Sequence, residues 1–327
     1  MKAWLASAHG EPRDVLTLAD VDRPAPAPHQ LLLRVRAAAL NFPDVLLCRG
    51  QYQVRPPLPF TPGVELCGEV VEVGEAVTGF QAGDRVIGNP ALPHGALAEY
   101  ALMDQVEAQP APASLDDAEA ASLHIAYQTG HVALHRRAKL QPGETLLVHA
   151  AAGGVGSAAV QLGKAAGARV IAVVGGAEKA DVATKLGADI VIDRRTQDFI
   201  PIVNEATGGR GVDVVYDPVG GEAYTGSARC VAFEGRILVI GFAGGTVPAP
   251  PLNHALIKNY SIVGVHWGLY KQQDLAEISR IHADLTRLAE AGTIKPLVGG
   301  RLGLDEAAEG LTRLGSGDSV GRLVVQP

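Results

Sequence analysis

The chain has 327 residues, more than one hydrophobic core usually organises, so two domains are expected. Its 47% apolar residues, 39 glycines and only 19% charged residues suit a compact α/β protein and exclude a disordered one. With 28 Lys and Arg against 35 Asp and Glu the formal charge is −7, and no basic run could track a phosphate backbone, so nucleic acid is not an expected partner.

Taken in chain order, residues 31–39 (LLLRVRAAA) and 64–73 (VELCGEVVEV) are rich in aliphatic residues and predict strands, the second ending at a Gly-Glu turn. The proline-rich segment QYQVRPPLPFTPG between them forbids helix and predicts a surface loop. Residues 79–88 read as a turn and a strand, and residues 95–103 as another strand. From Ser114 the text becomes alanine-rich and helical, opened by the capping pattern Ser-Leu-Asp-Asp, which marks the domain boundary. Alternating units follow: strand 145–150, glycine loop, helix 157–167, strand 169–174, helix 178–187, strand 189–193, strand 213–219, a helix through about Cys230, and strand 235–242. Strands separated by helices of this length predict a doubly wound parallel sheet with its ligand site at the carboxyl ends of the strands. Residues 261–268 (SIVGVHWG) read as its last strand. The helix near 274–292 and the segments KPLVGGRL and GRLVVQ return to the first domain, because so short a tail cannot form its own core. The expected division is 1–123 and 266–327 for a substrate domain, with 124–265 for a nucleotide-binding domain.

The loop Ala151-Ala152-Gly153-Gly154-Val155-Gly156 follows an apolar strand and opens a helix, the context of a dinucleotide-binding turn. Gly153 lets the backbone approach a pyrophosphate, Gly156 lets the helix pack on the strand, and the helix N-terminus offers unpaired N–H groups to the anion. Ala151 stands where the first glycine of the pattern belongs, and a ligand-free tight turn is the competing reading. An NAD-preferring site places an acid about 20 residues on, at the end of the second strand. Here that strand runs into Gly175-Gly176-Ala177-Glu178-Lys179, which leaves room for a 2′-phosphate, and Lys179 and Arg194 offer it positive charge. NADPH is therefore expected, with Gly176, Lys179 and Arg194 as contacts. The alternatives are that Lys179 is solvated, that Arg194 ends a strand, or that Glu178 turns back to serve NADH.

No apolar stretch reaches the ~20 residues that span a bilayer, and the N-terminus holds no long apolar segment, so no membrane contact and a cytoplasmic location are expected. The cysteines, Cys48, Cys67 and Cys230, are far apart and form no C-x-x-C pair, so neither a disulfide framework nor a structural zinc lobe is expected.

In order along the chain stand LNFPDVLLCRGQY, PPLPFTPGVELCGEVVEVG, GDRV, GALAEYA, HAAAGGVG, DPVGG, GRILVIGFAGG and LIKNYSIVGVHWG. The sequence resembles, over nearly its whole length, the medium-chain dehydrogenase/reductase superfamily, and within it the zinc-free quinone oxidoreductase branch that includes zeta-crystallin. The resemblance implies a Rossmann sheet plus a β-rich GroES-like substrate domain. At the places of the three catalytic zinc ligands of metal-dependent relatives it puts Asn41, Val64 and Ile125, none a thiolate or imidazole, so no catalytic metal is expected. It further implies Asn41 and Tyr52 as polar groups of the substrate pocket, Tyr52 donating to the acceptor oxygen and Asn41 also near the cofactor. Thr129, Val155, Ile240, Gly241, Phe242, Val265, His266 and Trp267 are implied around the nicotinamide, and Arg322 near the pyrophosphate. Asp44, Glu65 and His94 read as structural or turn residues.

Without a metal, alcohol oxidation lacks the Lewis acid or low-pKa base that it needs, whereas a quinone accepts hydride with positioning and a few donors. NADPH-dependent hydride transfer to a quinone is the expected activity. The alternative is reduction of an activated C=C bond in an enone, alkenal, haloacrylate or acryloyl thioester. A nucleotide-binding protein with little catalysis and a zinc alcohol dehydrogenase are the remaining readings, and no flavin is implied. A homodimer through the edge strand SIVGVHWG is carried by the resemblance alone.

Overall fold

The computed structural model describes all residues, Met1–Pro327, and divides into two compact units. The first comprises Met1–Ile125 and Lys295–Pro327, the second Ala126–Ile294.

In the first unit, strands β1 (Lys2–Ala6) and β2 (Leu16–Asp20) pair antiparallel. The long strand β3 (Gln30–Ala39) runs beside β4 (Leu66–Val73), followed by β5 (Arg85–Gly88), β6 (Tyr100–Asp104) and the short β7 (Gln109–Pro110). Leu31, Leu33 and Val35, on one face of β3 by the two-residue strand period, join a core with Leu66, Val86 and Met103. Between β3 and β4 lies a helix, Phe42–Cys48, that the aliphatic text did not disclose. Pro43 fits its first turn, and the Asp44 carboxylate reaches back to accept from the Asn41 N–H at 2.8 Å.

The second unit carries six parallel strands: β8 (Thr145–His149), β9 (Arg169–Val174), β10 (Ile190–Asp193), β11 (Val212–Asp217), β12 (Val231–Val239) and β13 (Ser261–Gly264), in the order β10-β9-β8-β11-β12-β13. The doubly wound expectation holds, and helix Gly154–Ala165 begins a few residues before the predicted start. β13 is an edge strand, and the neighbouring helix Leu252–Lys258 leaves Leu252, Leu256 and Ile257 exposed.

The chain then departs from expectation. Residues up to Ile294 belong to the second unit, not the first. Helix Leu275–Glu290 buries Ile278, Ile281, Leu285 and Ala289, a stripe at 3- and 4-residue spacing, and Arg136 ties to its N-cap Asp274 at 2.9 Å. The helix was expected from the sequence, but not the core that its stripe faces. Only the last segment returns to the first unit, as β14 (Val298–Gly303) and β15 (Arg322–Gln326), with β15 antiparallel to β3.

Tyr216 lies in the middle of the parallel sheet, fully buried, and its hydroxyl has no hydrogen-bonding partner. A buried hydroxyl left unpaired costs free energy that a phenyl ring of the same shape does not. Tyr216→Phe is therefore expected to raise stability by about 1 kcal/mol in urea unfolding; a loss of that size would show an unrecognised polar contact.

Candidate active site

Because every strand of the second unit's sheet is parallel, the loops after them emerge along one edge, where a doubly wound sheet binds its ligand. After β8 the backbone turns at Ala150, whose φ of 50° lies in the left-handed region. Gly153 caps helix Gly154–Ala165 with no side chain supplied to its N-terminus, so the first-turn N–H groups at Gly154, Val155 and Gly156 have no side-chain partner. A Cβ on Gly156 would stand 2.1 Å from the Ala150 carbonyl oxygen, so only glycine lets this helix close on the strand end. Ala151 at the place of the missing glycine does no harm, since it is buried and bonds the Val173 carbonyl through its own N–H at 3.1 Å.

Next to this turn the chain leaves β9 through Gly175 and Gly176, the latter with a φ of 107°. The Asp193 carboxylate at the end of β10 accepts from Gly176 N–H at 2.8 Å and Arg195 N–H at 3.0 Å. These bonds hold its carboxyl below the usual range, the Arg195 N–H contributing most. Arg194 and Arg195 are exposed, without hydrogen-bonding partners for their guanidinium groups. They lie 3.3 Å and 3.1 Å from where Cβ atoms on Gly175 and Gly176 would be. Two cations thus fill the space that the two glycines leave, and half-buried Lys179 opens the helix that follows. Sequence reasoning singled out Arg194 and missed Arg195 and the Asp193 latch; the Arg-Arg pair at a strand end was the available signal.

Farther along the edge, Ile240, Gly241 and Val265 are half-buried while Phe242 and His266 are exposed, a strip of apolar surface at the ends of β12 and β13. Thr129 is half-buried on helix His124–His131. Trp267 is buried with its indole N–H donating to Gln128 at 3.0 Å and Lys271 above its ring at 4.7 Å, so packing within the unit accounts for it.

In the first unit, Asn41, Glu65 and Arg322 form one buried network. Asn41 Nδ2 donates to the Ala39 carbonyl at 3.0 Å and to Glu65 Oε2 at 2.9 Å, while its Oδ1 accepts from Arg322 Nη1 at 2.9 Å. Arg322 Nη2 also pairs with Glu65, whose Oε1 accepts from Ile125 N–H at 2.6 Å. Burial raises the Glu65 carboxyl, with Arg322 opposing. Arg322, expected near a pyrophosphate, is thus spent on a buried carboxylate that could not stand uncompensated, and only its Nε lacks a partner. Asp44 is buried too, accepting from the N–H groups of Asn41, Gly63 and Val64, and burial pushes it up to about 7. Tyr52 packs half-buried against the core with its hydroxyl unpartnered; burial and then the Asp44 charge raise its pKa. Val64 and Ile125 bring no donor atom, and no group of three His, Cys, Asp or Glu is placed to hold a metal ion.

A family model for zinc-binding dehydrogenases matches residues 154–283, and one for the alcohol dehydrogenase GroES-like domain matches residues 27–113. Quinone oxidoreductase-like protein 2 of Bos taurus is 38% identical over 299 residues, 91% of this chain and 85% of that protein. The chain belongs to the quinone oxidoreductase branch of the medium-chain dehydrogenase/reductase family. Its fold is similar to that of Escherichia coli quinone oxidoreductase, solved with NADPH, at a TM-score of 0.92 and 31% identity with 100% of both chains covered. The CurK enoyl reductase is similar at a TM-score of 0.88 and 29% identity, over 99% of this chain and 98% of that one.

His149, at the end of β8, is buried with Nε2 2.8 Å from Ser227 Oγ and its ring edge-on to Phe199. Burial lowers its pKa to about 4, with the Asp217 charge opposing. The unfolded chain takes that proton near 6.5 and the folded chain does not, so stability is lost as pH falls from about 6.5 to 4. His149→Gln is expected to remove this slope, checked by denaturant unfolding at pH 7 and pH 5; an unchanged slope would assign the acid sensitivity elsewhere.

Proposed function

We propose that the chain is a zinc-independent NADPH:quinone oxidoreductase. The observation that carries this reading is the paired guanidinium groups of Arg194 and Arg195 at Gly175 and Gly176, beside a helix N-terminus that no side chain caps. Quinone oxidoreductase relatives, one of them solved with NADPH, support it.

When bound, NADPH supplies the hydride. The N–H groups of Gly154, Val155 and Gly156 take the pyrophosphate, and Arg194, Arg195 and Lys179 take the 2′-phosphate by charge-assisted hydrogen bonds. Ile240, Gly241, Phe242, Val265 and Thr129 give the nicotinamide an apolar surface. The free Tyr52 hydroxyl donates to the acceptor oxygen, and solvent supplies the protons. The positions that bind zinc in metal-dependent relatives hold Asn41, Val64 and Ile125: the amide spends both N–H groups and one oxygen lone pair in its own network, and the other two side chains bring no donor atom, so the set lacks the thiolate and imidazole ligands a zinc ion needs.

Kinetics with NADPH and NADH over a panel of quinones test the reading, with conjugated C=C acceptors included because of the likeness to an enoyl reductase. The chain is expected to reduce quinones with NADPH preferred and to be indifferent to chelators. Arg194→Ala/Arg195→Ala should raise KM for NADPH about 10-fold or more, with little change for NADH. Equal loss with both cofactors would remove the 2′-phosphate assignment, and better turnover of enones than of any quinone would shift the substrate class.

We also propose a homodimer built on β13, whose outer edge is unpaired and flanked by Leu252, Leu256 and Ile257, each more than 70% exposed. Light scattering is expected to give twice the chain mass, and Ile257→Glu to give a monomer; a monomeric wild-type chain at micromolar concentration would end the proposal.

A further inference from the structure

We infer that Glu65 is a positioning residue, one that fixes the Asn41 amide so that its oxygen is the only group left to meet a ligand. The inference rests on the assignment of Asn41 to the substrate pocket, and it fixes the sense in which that residue can act.

The orientation of the amide follows from the chemistry of its partners. The Ala39 carbonyl and the Glu65 carboxylate only accept, and the Arg322 guanidinium only donates. Turning the amide over would set its oxygen against two acceptors and its NH₂ against a cation, so a single orientation satisfies all three. Both N–H groups of Asn41 are then spent, while Oδ1, having accepted from Arg322, keeps one lone pair. The ligand group that Asn41 meets must therefore be a hydroxyl or an N–H, never a carbonyl oxygen, so of the two proposed pocket side chains only Tyr52 is left to donate to an oxidised acceptor.

Glu65 is what makes this arrangement tight. Its two oxygens take the Ile125 N–H, one Asn41 N–H and the Arg322 guanidinium, all inside the first unit and with the carboxylate fully buried. A side chain with one oxygen cannot serve all these donors. A pair without oxygens or charge leaves Asn41 tied only to Ala39 and free to rotate. Arg322 in turn neutralises Glu65, so the two act as one device.

The test is a mutant cycle read in steady-state kinetics with NADPH and a quinone. Glu65→Met/Arg322→Met removes both charges together, which avoids an uncompensated buried ion, and Glu65→Gln serves as a second variant of unchanged volume. Each is expected to lower kcat/KM, the double variant by up to about 100-fold, because a misplaced pocket group costs rate even when it is chemically intact. In an Asn41→Ala background neither should lower kcat/KM further, although both still change the melting temperature. Losses that multiply in full on top of Asn41→Ala would show that Glu65 acts through the fold at large and would overturn the inference. Asn41→Ala with wild-type turnover would instead overturn the pocket assignment beneath it, and the inference with it.

Discussion

The close approach of one helix to one strand end governs the nucleotide-binding unit. With hydrogen in place of a side chain at Gly156, helix Gly154–Ala165 closes against the Ala150 carbonyl, where a single added methyl would overlap it. That contact aims the uncapped end of the helix along the edge where the six parallel strands finish. The glycines after β9 and the arginines after β10 extend the same edge, and Asp193 binds the two turns to each other through backbone N–H groups. A positive rim thus arises in a chain whose net charge is −7, so local arrangement, not overall charge, decides what this edge can hold.

Much of this was legible in the sequence because it is written in local pattern. Strand, glycine turn and helix follow at fixed distances, and the aliphatic runs of β8, β9, β11 and β12 have the composition of strands buried on both faces. Contacts between distant residues were not legible. Nothing near Glu65 announces Arg322, which lies 257 residues on in the chain, so Glu65 read only as a structural or turn residue, with its partners invisible along the sequence. The helix Leu275–Glu290 was expected near 274–292, yet the unit it joins depends on which core has room for its apolar stripe, a property of the folded chain. Helix Phe42–Cys48 was missed because seven residues carry too little periodicity to stand out.

The two units keep polar groups in order by opposite means. In the second, binding capacity comes from backbone N–H groups and from the exposed guanidinium groups of Arg194 and Arg195. In the first, the buried polar side chains are largely taken up by one another: Asp44 takes three backbone N–H groups and Asn41 is held on three sides. Unmet donors at an open edge can receive an anion, whereas a saturated buried cluster has little to give a ligand and holds a shape instead.

That saturation bears on how readily such a chain could change its chemistry. Grafting a thiolate at position 41 would discard the amide that Glu65 and Arg322 rely on, and would set a second anion close to a carboxylate that already shares its one guanidinium. The new ligand would compete with the old pair for the same cation before any ion arrived. A metal ligand at position 41 would therefore demand that Glu65 and Arg322 be rebuilt with it, because the three side chains share one set of hydrogen bonds.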